Sequence, residues 1–295
     1  MTLMYLQKLF ITTILGALVP LSGQWLDYPT PNVPKTKDGK PDLSAPAPRQ
    51  ANGKPDFSGM WGWDAIQPCG SKCTDNQIST EFINIASKLV TSTPPATGRG
   101  GGGGRGGFGG GQLPYTDWAR TLVAKRMADG AKDDPNVHCM PRGMPRIWTD
   151  DYYKRIFMAP DRMIILTERN IQYRQIHMDG RSLPADPTPT WNGYSTAEWD
   201  GDTLVVHTIG FRDDLWLDSN GNPLTESGKV TERISRPNFG TLQVEMTIED
   251  PKAYTAPWTV RLKQPFVLDS ELLDYYCLEN EKDAFHMGSS WTQGK

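Results

Sequence analysis

Four potential acid, base or metal-binding side chains lie close together in the stretch YSTAEWDGDTLVVHTIGF, at residues 194–211. They are Glu198, Asp200, Asp202 and His207. Carboxylates near an imidazole can hold a metal ion or transfer protons in an active site. However, Asp-Gly between two β-rich runs is also a strong signal for a two-residue hairpin turn, because both turn positions must accept a positive φ. The turn explains Asp200 and Asp202 without a catalytic role.

The chain from residue 155 onward has the two-residue period of β-strands, with short turns rich in Gly, Pro or Asp. Apart from the hairpin around Asp200-Gly201, strands are predicted at residues 155–160, 162–169, 171–179, 228–236, 241–250, 258–268 and 271–280. Sequential antiparallel strands without intervening helices form a meander, and closing it into an up-and-down barrel removes the exposed edges. We therefore predict a mainly β domain at 139–286 that forms a lipocalin-like up-and-down barrel, with a β-sandwich as the alternative.

The part of the chain before this domain divides into an arm and a small helical segment. Residues 24–60 are rich in proline and hold the phrase DGKPDLSA at 38–45, repeated as NGKPDFSG at 52–59, which predicts an extended arm. Residues 61–138 are predicted to contain helices at 74–90 and 115–130. Between them, 99–112 is glycine-rich and is predicted to be a flexible loop. Residues 287–295 form a tail.

The N-terminus has the features of a signal peptide. Lys8 precedes an uncharged apolar run at residues 9–21, which is too short to span a bilayer comfortably, and small residues follow at 22–23. We predict that residues 1–23 are removed on export to the periplasm or the exterior, leaving no stable membrane span, with an uncleaved anchor as the alternative. The net charge of −3 and the absence of a basic stripe argue against a nucleic-acid partner.

The chain has four cysteines, Cys69, Cys73, Cys139 and Cys277. An even number in an exported protein favours disulfides. One pairing closes the short loop between Cys69 and Cys73 and joins Cys139 to Cys277, although four cysteines allow three connectivities. A zinc site that also uses His138 is the alternative, which the CxxxC spacing and the predicted export both disfavour.

One charged residue is predicted to lie on an apolar strand face. Glu232 falls between Val230 and Ile234 in the strand at 228–236. A carboxylate on an inward face is costly unless it is paired, hydrogen-bonded or protonated. The structural interpretation is an internal ion pair with Arg174 or Arg155, and the functional interpretation is a group that takes part in chemistry.

The strand faces that carry the histidines predict a polar lumen. If those faces point inward, the lumen displays Tyr173, His177, His207, Glu232, Asp274 and Tyr276. Together with Arg174 these are the predicted ligand-binding residues, and Glu232, His207 and His177 are the candidates for catalysis. No HxH or HExxH spacing is present, so neither a metal nor another cofactor is predicted.

Several sequence motifs resemble those of an uncharacterised family of secreted bacterial proteins. They include GKPDLS, GKPDFSGMW, CMPRGMPR, WNGYSTAEWDGDTLVVHTIGF, TERISR and YYCLEN. The resemblance covers most of the chain after the signal peptide and implies a GKPDLSGVW-like arm, a glycine-rich insert and a W-E-G-D-T-L-V-V-like core. This chain has Asp200 where the family pattern has Glu, and it has Leu183 where a His often precedes the proline. The resemblance implies no catalytic residues.

Composition and fold together favour a binding protein. Ten Trp and ten Tyr suit an apolar or carbohydrate-like ligand. The sequence therefore predicts an exported barrel that binds a small, partly apolar ligand in its lumen. The alternative is a small-molecule hydrolase, hydratase or isomerase that uses the Glu, His and Tyr side chains of the lumen. A further alternative is an envelope interaction module.

Overall fold

The computed structural model describes residues 29–62, 113–149 and 152–277. The predicted signal peptide at 1–23, the helix at 74–90, the glycine-rich loop at 99–112 and the tail at 287–295 lie outside these residues. The same is true of Cys69 and Cys73.

Nine strands form one sheet that nearly closes into a barrel, which confirms the predicted fold class. The elements in chain order are β1 (Gly59–Trp61), α1 (Asp117–Ala128), β2 (Lys154–Ala159), β3 (Arg162–Thr167), β4 (Gln172–His177), β5 (Tyr194–Asp200), β6 (Thr203–Ile209), β7 (Leu215–Trp216), β8 (Pro223–Leu224), β9 (Lys229–Asn238), β10 (Thr241–Glu249) and β11 (Trp258–Pro265). The order around the sheet is β1-β2-β3-β4-β5-β6-β9-β10-β11, and β7 pairs with β8 in a separate ribbon. A bridge between Trp61 and Phe266 brings the two edges of the sheet together.

The sheet departs from a pure meander at one place. β4 and β5 run parallel and share only two residue pairs, Ile176 with Ser195 and His177 with Thr196. Every other pair of neighbouring strands in the sheet is antiparallel. Parallel neighbours need a crossover connection instead of a tight turn, and residues 178–193 provide it.

The predicted final strand at 271–280 was wrong for the part that the structure describes. Between residues 271 and 277, only Tyr275 pairs, in an isolated bridge with Arg169.

The predicted hairpin around Asp200-Gly201 is present but displaced by one residue. Asp200 pairs with Thr203, so Gly201 and Asp202 form the loop. Only Gly201 has a positive φ, of 58°, which is the pattern of a type II′ turn.

The interior of the barrel is filled with side chains. β10 shows the alternation most clearly, because Leu242, Val244, Met246 and Ile248 are buried and the residues between them are partly exposed. The inward residues of the other strands join the same core, together with the fully buried Trp61 and Trp148. Protein cores are packed as densely as organic crystals, so a filled interior leaves little volume for a guest molecule.

The helix predicted at 115–130 is present as α1. Thr116 caps its N-terminus, because the Oγ1 atom accepts a hydrogen bond from the backbone N–H of Ala119 at 3.2 Å. The helix ends before Gly130, which has a φ of 69°.

The proline-rich arm, predicted to be extended, instead folds each copy of its repeat into the same tight turn. In the first copy the backbone N–H of Thr36 donates to Lys40 O at 2.8 Å, and that of Gly39 donates to Thr36 O at 2.9 Å. The second copy repeats both bonds fourteen residues later with the same lengths, from Gln50 to Lys54 O and from Gly53 to Gln50 O.

The two copies contact the tips of two hairpins at one end of the barrel. The β9–β10 turn donates two backbone hydrogen bonds to the first copy, from Phe239 to Ala45 O and from Gly240 to Leu43 O, each at 2.8 Å. The second copy contacts the β5–β6 turn, where Lys54 Nζ donates to Gly201 O at 2.9 Å. The fully buried Phe57 packs against Trp199 with ring centres 5.5 Å apart. The arm therefore covers this end of the barrel.

Candidate functional site

A cleft opens in the barrel wall where β4 and β5 diverge. The two strands pair only at residues 176–177 and 195–196, and farther along their backbones separate. There the side chain of Asn192 bridges the gap by donating from Nδ2 to Tyr173 O at 3.0 Å. The resulting cavity has a volume of about 500 Å³, which lies within the usual range of ligand sites.

The base of the cleft is a buried ion pair. Arg174 lines the cleft and is 1% exposed, and its Nη1 donates to Glu232 Oε1 at 2.9 Å while its Nη2 donates to Glu232 Oε2. Trp148 Nε1 also donates to Glu232 Oε1, at 2.5 Å. Nη2 of Arg174 contacts the hydroxyls of Ser195 and Thr208 at 3.1 and 3.0 Å. The carboxylate therefore neutralises the guanidinium, and the internal ion pair that the sequence indicated for Glu232 is present.

Three buried polar atoms around the cleft have no hydrogen-bond partner within the part of the chain that the structure describes. They are Arg174 Nε, His177 Nδ1 and Asn192 Oδ1, and all three residues line the cavity. Most buried polar atoms in native proteins are paired, so each exception calls for an explanation. Their concentration at one cavity makes this cleft the candidate functional site.

Aromatic side chains form the walls of the cleft. His177 stacks on Tyr194 with ring centres 5.2 Å apart and an angle of 28° between the planes. Tyr173 is 63% exposed, and its ring lies at the opening. The guanidinium of Arg212 lies 4.5 Å from the ring centre of Trp191. Flat apolar faces therefore line the same cavity as three residues that each have an unpaired buried polar atom.

The cleft carries no net charge at neutral pH. Arg174 is the only permanently charged residue that lines it, and Glu232 neutralises that charge. Burial, and then the nearby Arg181 charge, hold the pKa of His177 below its ordinary value, so the imidazole is mainly neutral at pH 7.

The loop that carries Trp191 is fixed by close backbone contacts. The N–H of Met144 donates to Trp191 O at 3.0 Å. A Cβ atom added to Gly143, which has a φ of 63°, would lie 2.2 Å from the same oxygen. A Cβ atom on Gly193 would lie 2.7 Å from Ile209 O. Only glycine fits these two positions, so the wall of the cleft is held in place before any ligand binds.

Three of the seven predicted ligand-binding residues line the cleft, namely Tyr173, Arg174 and His177. Glu232 lies inside the barrel and contacts the cleft only through Arg174. Whether these residues bind a ligand stays a prediction.

The other three predicted residues lie elsewhere. His207 is on the outer face of β6, with its Nδ1 3.3 Å from Thr231 Oγ1. Asp274 and Tyr276 are exposed in the segment that follows β11.

The predicted inner faces of β4 and β6 were wrong. On β4 the buried residues are Arg174 and Ile176, so Tyr173 and His177 point away from the core. On β6 the fully or almost fully buried residues Leu204, Val206 and Thr208 point inward, so His207 points outward. The charge on Arg174 does not prevent its burial, because Glu232 reaches it from β9 across the interior.

The two aspartates of the β5–β6 hairpin form ion pairs with arginines. Asp200 pairs with Arg233 at 2.8 Å and Asp202 pairs with Arg49 at 2.6 Å, and both pairs are exposed. Across residues 29–62, 113–149 and 152–277 no group of three or more His, Cys, Asp or Glu side chains is placed to hold a metal ion.

The predicted disulfide between Cys139 and Cys277 is confirmed. It joins residues 138 positions apart in sequence and ties the loop beside the cleft to the segment after β11. The bond also removes Cys139 from the alternative zinc site. His138, the other ligand of that alternative, has its Nε2 2.8 Å from Lys132 O.

Sequence reasoning missed three residues that line the cleft, namely Trp191 and Asn192 at the end of the crossover and Tyr194 at the start of β5. Their signal is the long connection between two strands, because a parallel pair needs such a connection and a hairpin does not. The phrase WNGY at 191–194 stands at the end of that connection.

Comparison with known proteins does not assign the chain. No protein-family model matches it, and no curated protein matches it significantly. None of the helices among the described residues has the length and apolar character needed to cross a membrane. The fold and the cleft define a class of protein, a nearly closed β-barrel with a cavity in its wall, and that class hosts many unrelated functions.

Proposed function

We propose that the protein is exported and binds a small, partly apolar ligand in the cleft between β4 and β5. The observation that carries this proposal is the group of three unpaired buried polar atoms around one aromatic-walled cavity. Ligand sites typically combine apolar walls with a few convergent polar groups, which is the composition of this cleft.

The cleft in the barrel wall is a better ligand-binding site than the lumen of the barrel. The centre of the barrel is occupied by core side chains such as Met163, Ile165 and Met246, each of which is 0% exposed. A ligand in the lumen would have to displace them, and removing buried apolar side chains from a core costs several kcal/mol. The cleft requires no such displacement.

Two features support export. Residues 1–23 have the composition of a signal peptide, and the Cys139–Cys277 disulfide is typical of oxidising compartments. The proposal includes membership of the family of secreted bacterial proteins that the sequence resembles.

A second candidate function is an enzyme with His177 as a general base. The imidazole is mainly neutral at pH 7, and His177 lines the cavity. A neutral imidazole in a ligand cavity can accept a proton from a substrate. Glu232 is a weaker candidate for this role, because both of its oxygens already bind Arg174 inside the barrel.

Native mass spectrometry of the protein purified from an exporting host tests the proposal directly. We expect a co-purifying small molecule on the wild type, and we expect its loss in Asn192→Ala and in Tyr173→Ala. Tyr276→Ala is the matched control, because Tyr276 is 56% exposed and does not line the cleft.

A library of small, partly apolar compounds, screened by saturation-transfer NMR, supplies the same comparison if the purified protein carries no ligand. Compounds that bind the cleft variants and the wild type equally would refute the site. Turnover of a bound compound that disappears in His177→Ala, with binding retained, would favour the enzyme.

A further inference from the structure

We propose that the ligand is a neutral, hydroxyl-rich chain of the oligosaccharide type, and that it extends past Trp191 into a second cavity. This inference rests on the proposed function of the β4–β5 cleft, which it deepens by naming a class of ligand. It depends on the geometry around Trp191 and on the balance of charge in the two cavities.

The second cavity lies between helix α1 and the loops that carry Trp191 and Arg212, and its volume is about 500 Å³. Trp191 lines both cavities. Two consecutive residues also connect them, because Met140 lines the second cavity and Pro141 lines the cleft. The two cavities therefore adjoin at Trp191, and a ligand longer than the cleft has a place to continue.

The aromatic surfaces suit the apolar faces of sugar rings. Tyr173 is exposed at the opening of the cleft, and Trp191 stands where the two cavities meet. The Arg212 guanidinium lies over the Trp191 ring at 4.5 Å, and this cation–π contact favours one orientation of the ring. A rigid flat ring costs little conformational entropy when a ligand stacks on it.

The polar groups of the cleft suit hydroxyls. The cleft offers the side-chain amides of Gln172, Gln175 and Asn192 and the hydroxyl of Tyr173. Amides and hydroxyls both donate and accept hydrogen bonds, and a ligand hydroxyl does the same. A carboxylate or phosphate ligand would instead need a free cation, and the one cation that lines the cleft is already paired with Glu232.

The second cavity is charged but balanced. Three cationic side chains line it together with three carboxylates, namely Lys125, Arg126 and Arg212 with Asp129, Asp133 and Asp214. One of these combinations is a direct ion pair, Arg212 with Asp214 at 2.8 Å. A chain of either charge would meet like charges here, and like charges at close range are unfavourable. A neutral chain can use both the donors and the acceptors.

Isothermal titration calorimetry with glucose and its neutral α-1,4 and β-1,4 oligomers, up to the pentamer, tests the proposal on the full-length exported protein. We expect the affinity to rise with chain length by about tenfold once the oligomer reaches the second cavity. An oligogalacturonate of matched length is the charged comparison, and we expect it to bind more weakly than the neutral oligomers.

Two variants distinguish the contributions of the two cavities to binding. Tyr173→Ala should weaken binding of all lengths, because Tyr173 lines only the first cavity, which every oligomer occupies. The double substitution Lys125→Ala and Asp129→Ala, at the C-terminal end of helix α1 and at its C-cap, should weaken only the longer oligomers. Thr121→Ala on the same helix does not touch either cavity and is the matched control.

The outcomes separate this inference from the proposed function. Binding of indole or another small apolar probe in the cleft, without binding of any oligomer, overturns the ligand class and leaves the cleft as a site. Oligomers that bind equally well at every length overturn the second cavity. Binding that no cleft variant weakens overturns the proposed function as well.

Discussion

Replacing Glu232 by glutamine removes the charge that neutralises Arg174 inside the barrel. The two side chains are 0% and 1% exposed, so water cannot take the place of the carboxylate. Glutamine keeps the shape of the side chain and can still accept the hydrogen bond from Trp148, but it leaves a buried guanidinium without a counter-charge. Breaking a buried pair in this way costs about 3–5 kcal/mol of unfolding free energy.

Urea unfolding of the full-length protein measures this loss. For a chain of this size we expect the midpoint to fall by roughly 1–2 M with little change in slope. Glu245→Gln is the matched control, because Glu245 pairs with Arg261 at 2.7 Å on the outer face and its side chain is 33% exposed. An exposed pair contributes less than about 1 kcal/mol.

Removing both partners provides the second arm of the test. We expect Arg174→Met with Glu232→Leu to recover part of the stability, because the interior then holds no unpaired charge. A loss of about 1–3 kcal/mol should remain, because Trp148 Nε1 loses its acceptor. A midpoint for Glu232→Gln as high as that of Glu245→Gln would refute the reasoning. If Glu232 is catalytic, activity should instead be lost while the midpoint stays.

Three further predictions concern the surroundings of the cleft. Replacing Cys139 and Cys277 together by serine should lower the unfolding free energy by about 2–5 kcal/mol, measured in urea, because the disulfide closes a loop between positions 138 residues apart. The pKa of His177 is lowered in the folded state, so the unfolded chain binds a proton first as the pH falls below about 6.5. The free energy of unfolding should therefore decrease from that pH down to the folded pKa. His177→Gln should flatten this part of a plot of urea midpoint against pH. Gly143→Ala should displace the loop at Trp191, because its Cβ would lie 2.2 Å from Trp191 O, and should therefore weaken ligand binding as well as lower the melting temperature. A crystal structure of Gly143→Ala with an unmoved loop would contradict the last prediction.

The barrel could be predicted because apolar and polar residues alternate clearly along several strands. On β10 every second residue is a large aliphatic side chain or methionine, and the residues between them are polar, so one register alone buries the apolar set. Between Val230 and Ile234, β9 has the same pattern with Glu232 as the exception, and the exception itself indicated an internal partner. Arg174, one of the two arginines named for that role, is the partner in the structure.

The orientation of β4 could not be predicted by the same reasoning. Each face of this strand carries both polar and apolar residues, so burial alone does not choose between Tyr173 and Arg174. The choice depends on Glu232, which lies fifty-eight residues away in sequence. On β6 the face with His207 was predicted to point inward because a histidine can do chemistry. Leu204 and Val206 on the other face form the core instead.

The cleft also lay beyond sequence reasoning. It exists because β4 and β5 pair in parallel over only two residues and then separate. A run of alternating residues predicts that a strand exists but not the direction of its neighbour. The residues that the crossover contributes, such as Asn192, therefore had no strand pattern to identify them.

The two turns of the arm have a consequence for how this chain can change by insertion or deletion. Both copies have the same internal hydrogen bonds, so they are structurally equivalent, but each contacts a different hairpin tip. The fourteen-residue offset between the copies thus matches the separation of two hairpin tips on the rim of the barrel. The two copies have different apolar residues at one equivalent position, Leu43 in the first and Phe57 in the second. We expect an insertion or deletion between Ala45 and Pro48 to be unfavourable, because it would shift the second copy away from the β5–β6 turn that it contacts. The spacing of the two hairpin tips therefore constrains the length of the arm.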